Sequence, residues 1–429
     1  MRIEKRAGAW LLAIGMVLAL AACGRGDEDG GAGGSAGAES VAPQASAVDT
    51  SAASGEIDVW AMGAEGEALG AFAETFMEEF PDITVNVTPV PWDAAHDRIV
   101  SAIAGGEVPD VTMVGTTWMG EFATLGGLDP TPANIDGSQF FEGAWNTTVV
   151  DGTSYAVPWY VETRLVYYRT DLAEEGGAPE PATWDDLQAM ASSMQEAGAE
   201  FGISLQPGGT GSWQTFMPFF WQAGGEIMGE DGTFTLDGEP CVAALTYYDS
   251  YFEEGLTPPA AEDVPVEGRF ANGEIASFIS GPWMMSIVED AGTDPEAYTV
   301  AHQPTEEAGT SFVGGSNMAV LADADNKAAG WAFLEYLSRP EVQVAWYEEV
   351  SALPAVQSAW DDEALSGDEK LAAFGEQLED AKAPPSIATW EQIAAEIDGV
   401  IEEVTVGDTT PEEGCAAMQE AASSIGTGQ

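Results

Sequence analysis

Hydrophobic and polar positions settle into a regular rhythm from residue 56. Residues 56–60 (EIDVW) alternate as a short strand, and 62–66 reads as a turn. Leu69, Phe72, Ala73, Phe76, Met77 and Phe80 then recur at helical spacing until Pro81 stops the helix. Residues 83–87 alternate again. Residues 92–104 carry a second helix closed by Gly105 and Gly106, and 109–114 form a third strand. This β-α-β-α-β order predicts an open, mostly parallel sheet with helices on both faces. Ligands of such sheets bind beyond the carboxyl ends of the strands, here 60–67 and 115–118.

Residues 155–168 read as one extended strand, dense in aromatic and β-branched side chains, yet carrying Glu162 and Arg164. Charge is costly to bury without a partner, so this suits a strand crossing a cleft better than a core strand. A second α/β unit follows. It has helices at 183–196 (opened at Thr183 by a sequence that resembles a capping box, with Asp186 in place of the usual Glu or Gln), 213–223 and 241–253. It has strands at 203–205, 275–279 and 298–303 and a hairpin at 229–238. Residues 326–337 form a helix. The remainder is helical, broken at Pro340, Pro354, Pro384 and Pro385.

Charge narrows the function. The 429 residues hold 12 basic and 73 acidic side chains, a net charge of −61. Too few cations are present to neutralise phosphates, which argues against nucleic acid as a partner. The acidic residues are scattered, as on a solvated surface suited to a salty environment. Arg2, Lys5 and Arg6 precede an apolar run at 7–22, the form of a secretory signal too short for a comfortable membrane span. It ends in LAAC at 20–23, which resembles the bacterial lipobox. That likeness implies cleavage after a 1–22 signal peptide, lipidation of Cys23 and tethering to the outer face of a membrane. The alternative is an ordinary signal with an incidental Cys. Residues 23–55, rich in Gly, Ala and Ser, read as a flexible tether. Cys241 and Cys415 then remain, either as a disulfide or as two buried thiols.

A series of motifs agrees in order with a known family. They are PDV at 109–111, TTWMGEFA at 116–123, VPWYVETR at 157–164 and YYRTDL at 167–172. TWDDL at 183–187, WQAGG at 221–225, GPW at 281–283, GGSN at 314–317 and RPEVQ at 339–343 follow. Together they resemble the extracellular solute-binding proteins of ABC importers, in the oligosaccharide-binding group that includes maltose- and trehalose-binding proteins. The resemblance implies a periplasmic-binding-protein-like fold, two α/β lobes joined by about three crossing segments with a ligand cleft between them. Carried over, lobe one takes 56–160 and 298–338, and lobe two takes 161–297 and 339–429. It also implies a monomer that binds a sugar, closes about its hinge and docks on permease subunits.

A pyranose needs flat aromatics for its C–H faces, and amides, carboxylates or guanidinium groups to bridge its hydroxyls. On the resemblance, Trp283 matches a sugar-stacking Trp, and Trp390 falls near a second. Glu162 matches a crossing-strand carboxylate, with Arg164 restraining it or touching the sugar. Thr116, Thr117 and Trp118 lie on the loop after the third strand, and Glu65 and Glu67 on the first loop. Trp213 and Gln214 open the aromatic helix, and Gly315 and Ser316 offer backbone and hydroxyl contacts. Trp60, Trp145, Trp184 and Trp331 are assigned to packing. Ala64, Glu65 and Thr116–Trp118 stand where maltose binders carry a cation and a carboxylate, so maltose itself is not implied. No nucleophile elbow or metal-binding His pair occurs, and neither catalytic residue, cofactor nor metal is expected. A secreted glycosidase, needing two facing carboxylates, and a polyamine binder, needing carboxylates between aromatics, are the rival readings.

Overall fold

The protein is described by a computed structural model at residues 45–229, 231–259 and 265–428. The signal peptide, Cys23 and the tether as far as residue 44 lie outside the described residues. Residues 45–54, expected to be flexible, are held against the body. Ala45 N–H donates to Thr131 O (2.9 Å), and Thr50 Oγ1 donates to Glu335 Oε2 (3.2 Å). No helix of the described residues is long and apolar enough to cross a membrane.

The first half follows the alternation closely. Strand β1 (Gly55–Met62) leads into α1 (Gly63–Glu79), β2 (Ile83–Val90), α2 (Trp92–Gly105) and β3 (Val111–Gly115). The expected turn at 62–66 is absent. Gly63 takes a positive φ of 60° and reverses the chain at once, so the helix starts at the strand's end.

The expected single strand at 155–168 is two strands. Strand β4 (Val157–Thr163) and β5 (Leu165–Arg169) are interrupted at Arg164 and belong to different sheets. Thr163 pairs with Val313, whereas Leu165 pairs with Ser280. The backbone thus changes sheet within two residues. Beyond it come α3 (Trp184–Glu196), α4 (Trp213–Gln222), α5 (Glu239–Glu253), β6 (Ser277–Ser280), α6 (Met284–Asp290), β7 (Tyr298–Ala301) and β8 (Ser311–Val320). Residues 203–205 and the region of the expected hairpin contribute only isolated bridges, Ser204 to Phe278 and Met228 to Phe234.

The chain closes with α7 (Lys327–Leu337), α8 (Pro340–Val350), β9 (Leu353–Pro354), α9 (Glu369–Gln377), β10 (Ala381–Lys382), α10 (Trp390–Thr405) and α11 (Pro411–Ile425). The larger sheet runs β9-β4-β8-β3-β1-β2, with β10 beside β8. Only the β3-β1-β2 half and the β8–β10 pair are parallel. Strand β8 is antiparallel to both β3 and β4, which corrects the expectation of a mostly parallel sheet. The smaller sheet, β6-β5-β7, is antiparallel.

Two α/β lobes are built on these sheets, with boundaries that differ from the expected ones. Lobe one keeps the chain to Thr163, because β4 stays in its sheet. It regains the chain at Ser311 rather than at 298, because β7 pairs with β5. It also holds α8 and β9, which were expected in lobe two. Trp346 stacks on Trp159 with ring centres 4.8 Å apart, and Gln343 Nε2 donates to Trp159 O (3.1 Å). Lobe two has its own core, where Cys241 on α5 and Cys415 on α11 are joined in a disulfide. Two crossings, at 163–165 and 301–311, meet residues 377–380 in a polar lattice. Gln303 Nε2 and Ser311 Oγ both donate to Arg164 O (3.2 and 2.9 Å). Gln377 Oε1 accepts from Gln303 N–H (2.8 Å), and Thr310 Oγ1 donates to Asp380 (2.7 Å).

Candidate sugar-binding cleft

Arg164 is the hub of the site. It sits where β4 gives way to β5, so its side chain reaches groups from both lobes. Its Nη2 donates to Gln214 Oε1 at the start of α4 (2.9 Å) and lies 3.4 Å from Glu162 Oε1 on β4. Its guanidinium carbon lies 4.8 Å from the centre of the Trp283 ring and 5.8 Å from that of Phe312. Its Nε is buried without a hydrogen-bond partner. A buried, unsatisfied cationic donor is costly, and an added hydroxyl acceptor would relieve it.

Trp283 is one of the few large apolar side chains left in solvent, 37 % exposed. Its position depends on Gly281: a Cβ there would stand 2.0 Å from Trp283 Cζ3. The carbonyl of Gly281 is fixed by the Tyr167 hydroxyl (2.7 Å). The platform is therefore clamped from β5 and presented by the first turn before α6.

A second carboxylate, Glu65, converges with Glu162 through Tyr160. Burial pushes the Glu65 carboxyl above its ordinary value, opposed by hydrogen bonds that include one with Tyr160. Burial, with the charges of Glu65 and Glu162, holds the Tyr160 hydroxyl well above its ordinary value. Tyr160 was not among the expected site residues; its alternation within β4 puts it on the same sheet face as Glu162, a signal present in the sequence. Gly314 and Gly315 give the space: a Cβ at Gly314 would meet Glu162 Oε1 at 2.8 Å, and one at Gly315 would meet Tyr160 O at 2.3 Å.

The structure thus groups Glu65, Glu162, Arg164, Gln214 and Trp283, with Gly315 along the floor. Thr116, Thr117 and Trp118 form a half-buried turn at the end of β3, beside α10 of the other lobe. Glu67 is exposed on α1. Three expectations are corrected. Ser316 Oγ is buried and donates to Val114 O (3.0 Å), so its hydroxyl is committed to the sheet. Trp213 and Trp390 lie in the lobe-two core, 5 % and 0 % exposed, packed edge to face at 5.2 Å. Their rings support the floor of α4 and α10 and offer no free face in this structure. Trp145, Trp184 and Trp331 are buried as packing residues. A cavity of about 640 Å³ between Phe141–Asn146 and residues 378–386 contains none of the expected site residues.

Residues 60–344 match the sequence model of the bacterial extracellular solute-binding proteins. The chain belongs to that family. Among solved structures, the sugar-binding protein MalE of Xanthomonas citri superposes with a TM-score of 0.81 at 31 % identity, covering 86 % of this chain and 97 % of that one. A galactooligosaccharide-binding protein of Bacillus subtilis is 25 % identical over 96 % of this chain and 95 % of its own. A diacetylchitobiose-binding protein of Streptomyces coelicolor is 27 % identical over 75 % of each. This solute-binding protein is therefore similar in sequence to binding proteins for chemically different oligosaccharides.

Proposed function

We propose that this solute-binding protein captures a sugar of two or more units between its lobes and passes it to an ABC permease, tethered outside the cell by lipid on Cys23. The observation that carries the reading is the Arg164 cluster, in which one cation contacts an amide, a carboxylate and an exposed tryptophan at the lobe junction. That set matches the needs of a pyranose: an apolar face to stack, and planar polar groups to bridge adjacent hydroxyls. The crossings at 163–165, 301–311 and 382–390 would act as the hinge. Hydrogen bonds between side-chain amides, hydroxyls and backbone join the first two to each other and to Gln377, beside buried apolar residues such as Leu165 and Leu378, and hinge motion would re-form the polar contacts. Ligand would favour the closed state by the contacts it gains there with both lobes. Binding without turnover fits the family relatives, which are binding proteins.

The test is titration calorimetry of the full chain against mono-, di- and oligosaccharides, with polyamines as the competing class. Saturable sugar binding, weakened in Trp283→Ala with unchanged melting, is expected. Binding of polyamines and of no sugar would overturn the reading, as would release of cleaved sugar.

A further inference from the structure

The pairing registers align one row of residues across β4, β8 and β3 of the larger sheet. Ser316 pairs with Tyr160 on one side and with Gly115 on the other. Trp60 pairs with Thr112, and Met62, the last residue of β1, with Val90, the last of β2, so the ends of β1 and β2 lie beside the end of β3. From Tyr160 on β4 through Ser316 and Gly115 to the ends of β1 and β2 is four strand spacings, about 19 Å. Trp92 follows just past the end of β2.

The outer half of this span is floored by aromatic rings. The Trp118 ring lies over Gly115, where a Cβ would meet it at 3.2 Å. Trp92 lies over Gly63, where a Cβ would stand 2.7 Å from its Nε1. The two indoles pack edge to face at 5.6 Å, and His96 and Phe122 brace Trp118 from behind at 5.3 and 6.1 Å. Phe122 is fully buried, and Trp92 is 38 % exposed. A lone exposed indole needs no explanation. This one is packed against Trp118 and stands just past the carboxyl end of β2, on the edge of the sheet whose other half holds Tyr160 and Glu162.

Taking the cleft as a sugar site, we propose that Trp92 is a ligand-contacting residue at its outer end, and that the cleft takes linear oligosaccharides of three to four units over disaccharides. A pyranose unit advances along a linear chain by about one strand spacing, ~5 Å. A disaccharide seated on Trp283 and Glu162 ends short of Trp92, and a tri- or tetrasaccharide reaches it.

The experiment is calorimetry of the full chain with three homologous series, malto-, β-galacto- and chito-oligosaccharides, each of two, three and four units. In the series that binds, affinity rises with length. Trp92→Ala lowers the affinity for the longest member about threefold to tenfold, the worth of one aromatic contact, and leaves the disaccharide within about twofold, while Trp92→Phe restores most of the loss. Trp283→Ala weakens every length. Length-independent binding by the native protein, or an equal loss at every length in Trp92→Ala, overturns the extended site and leaves the sugar reading standing. No binding in any series, with a response to polyamines, overturns both.

Discussion

Removing the Cys241–Cys415 bond tests how far lobe two depends on a covalent tie. The bond links helices α5 and α11 across 174 residues of chain, and both sulfurs lie in the lobe-two core, 0 % and 1 % exposed. In the chain-entropy account, a closed loop of this length restricts the unfolded chain by about 5 kcal/mol at 25 °C. The double substitution Cys241→Ala with Cys415→Ala opens the loop and removes little apolar volume. At about 2.1 cal/mol/K of unfolding entropy per residue, the described body of some 380 residues has an unfolding entropy of about 0.8 kcal/mol/K. The expected fall in Tm is then ~6 °C if both lobes unfold together, and roughly twice that if lobe two melts alone. Differential scanning calorimetry separates the cases, since independent melting moves one of two transitions. A fall of less than about 2 °C would refute the reasoning and show that opening the loop adds little freedom to the unfolded chain.

Three other outcomes follow from the geometry. Gly281→Ala displaces the Trp283 ring, because its Cβ would stand 2.0 Å from Cζ3; calorimetry should show sugar affinity falling about tenfold or less, as expected for one lost aromatic contact, and unchanged affinity removes Trp283 from the site. Glu65 has a folded-state pKa raised by burial, so the protonated form is favoured in the fold. Its contribution is full below the ordinary value of 4.5 and is lost as pH rises through the folded value. Glu65→Gln should therefore flatten the Tm–pH curve just above pH 4.5, and an unaltered slope counts against the burial. With a net charge of −61, raising NaCl from 10 mM, with a Debye length of about 30 Å, to 1 M, with one of about 3 Å, should raise Tm by screening self-repulsion. Equal melting at both ends would show that the charges are already well dispersed.

The sequence by itself determined the local elements and the chemistry available to them. Alternation at 56–60 and 83–87 and the helical spacing from Leu69 to Phe80 specified β1, β2 and α1, because each buries one face and needs no distant partner to be recognised. The charged pair Glu162 and Arg164 in an apolar run marked the junction before any coordinates, because charges there need partners that a core would not offer. What only the tertiary structure decided was pairing over distance. Strand β8 went unexpected because Gly314 and Gly315 break its alternation; its extended form is imposed by β3 and β4 on either side. Residues 340–354 joined lobe one through Trp159, nearly 200 positions earlier, and no local pattern records that contact. Trp213 and Trp390 carry the same residue type as Trp283 and Trp92. Burial separates the first pair from the second, and burial is set by what the folded chain places on top of each ring.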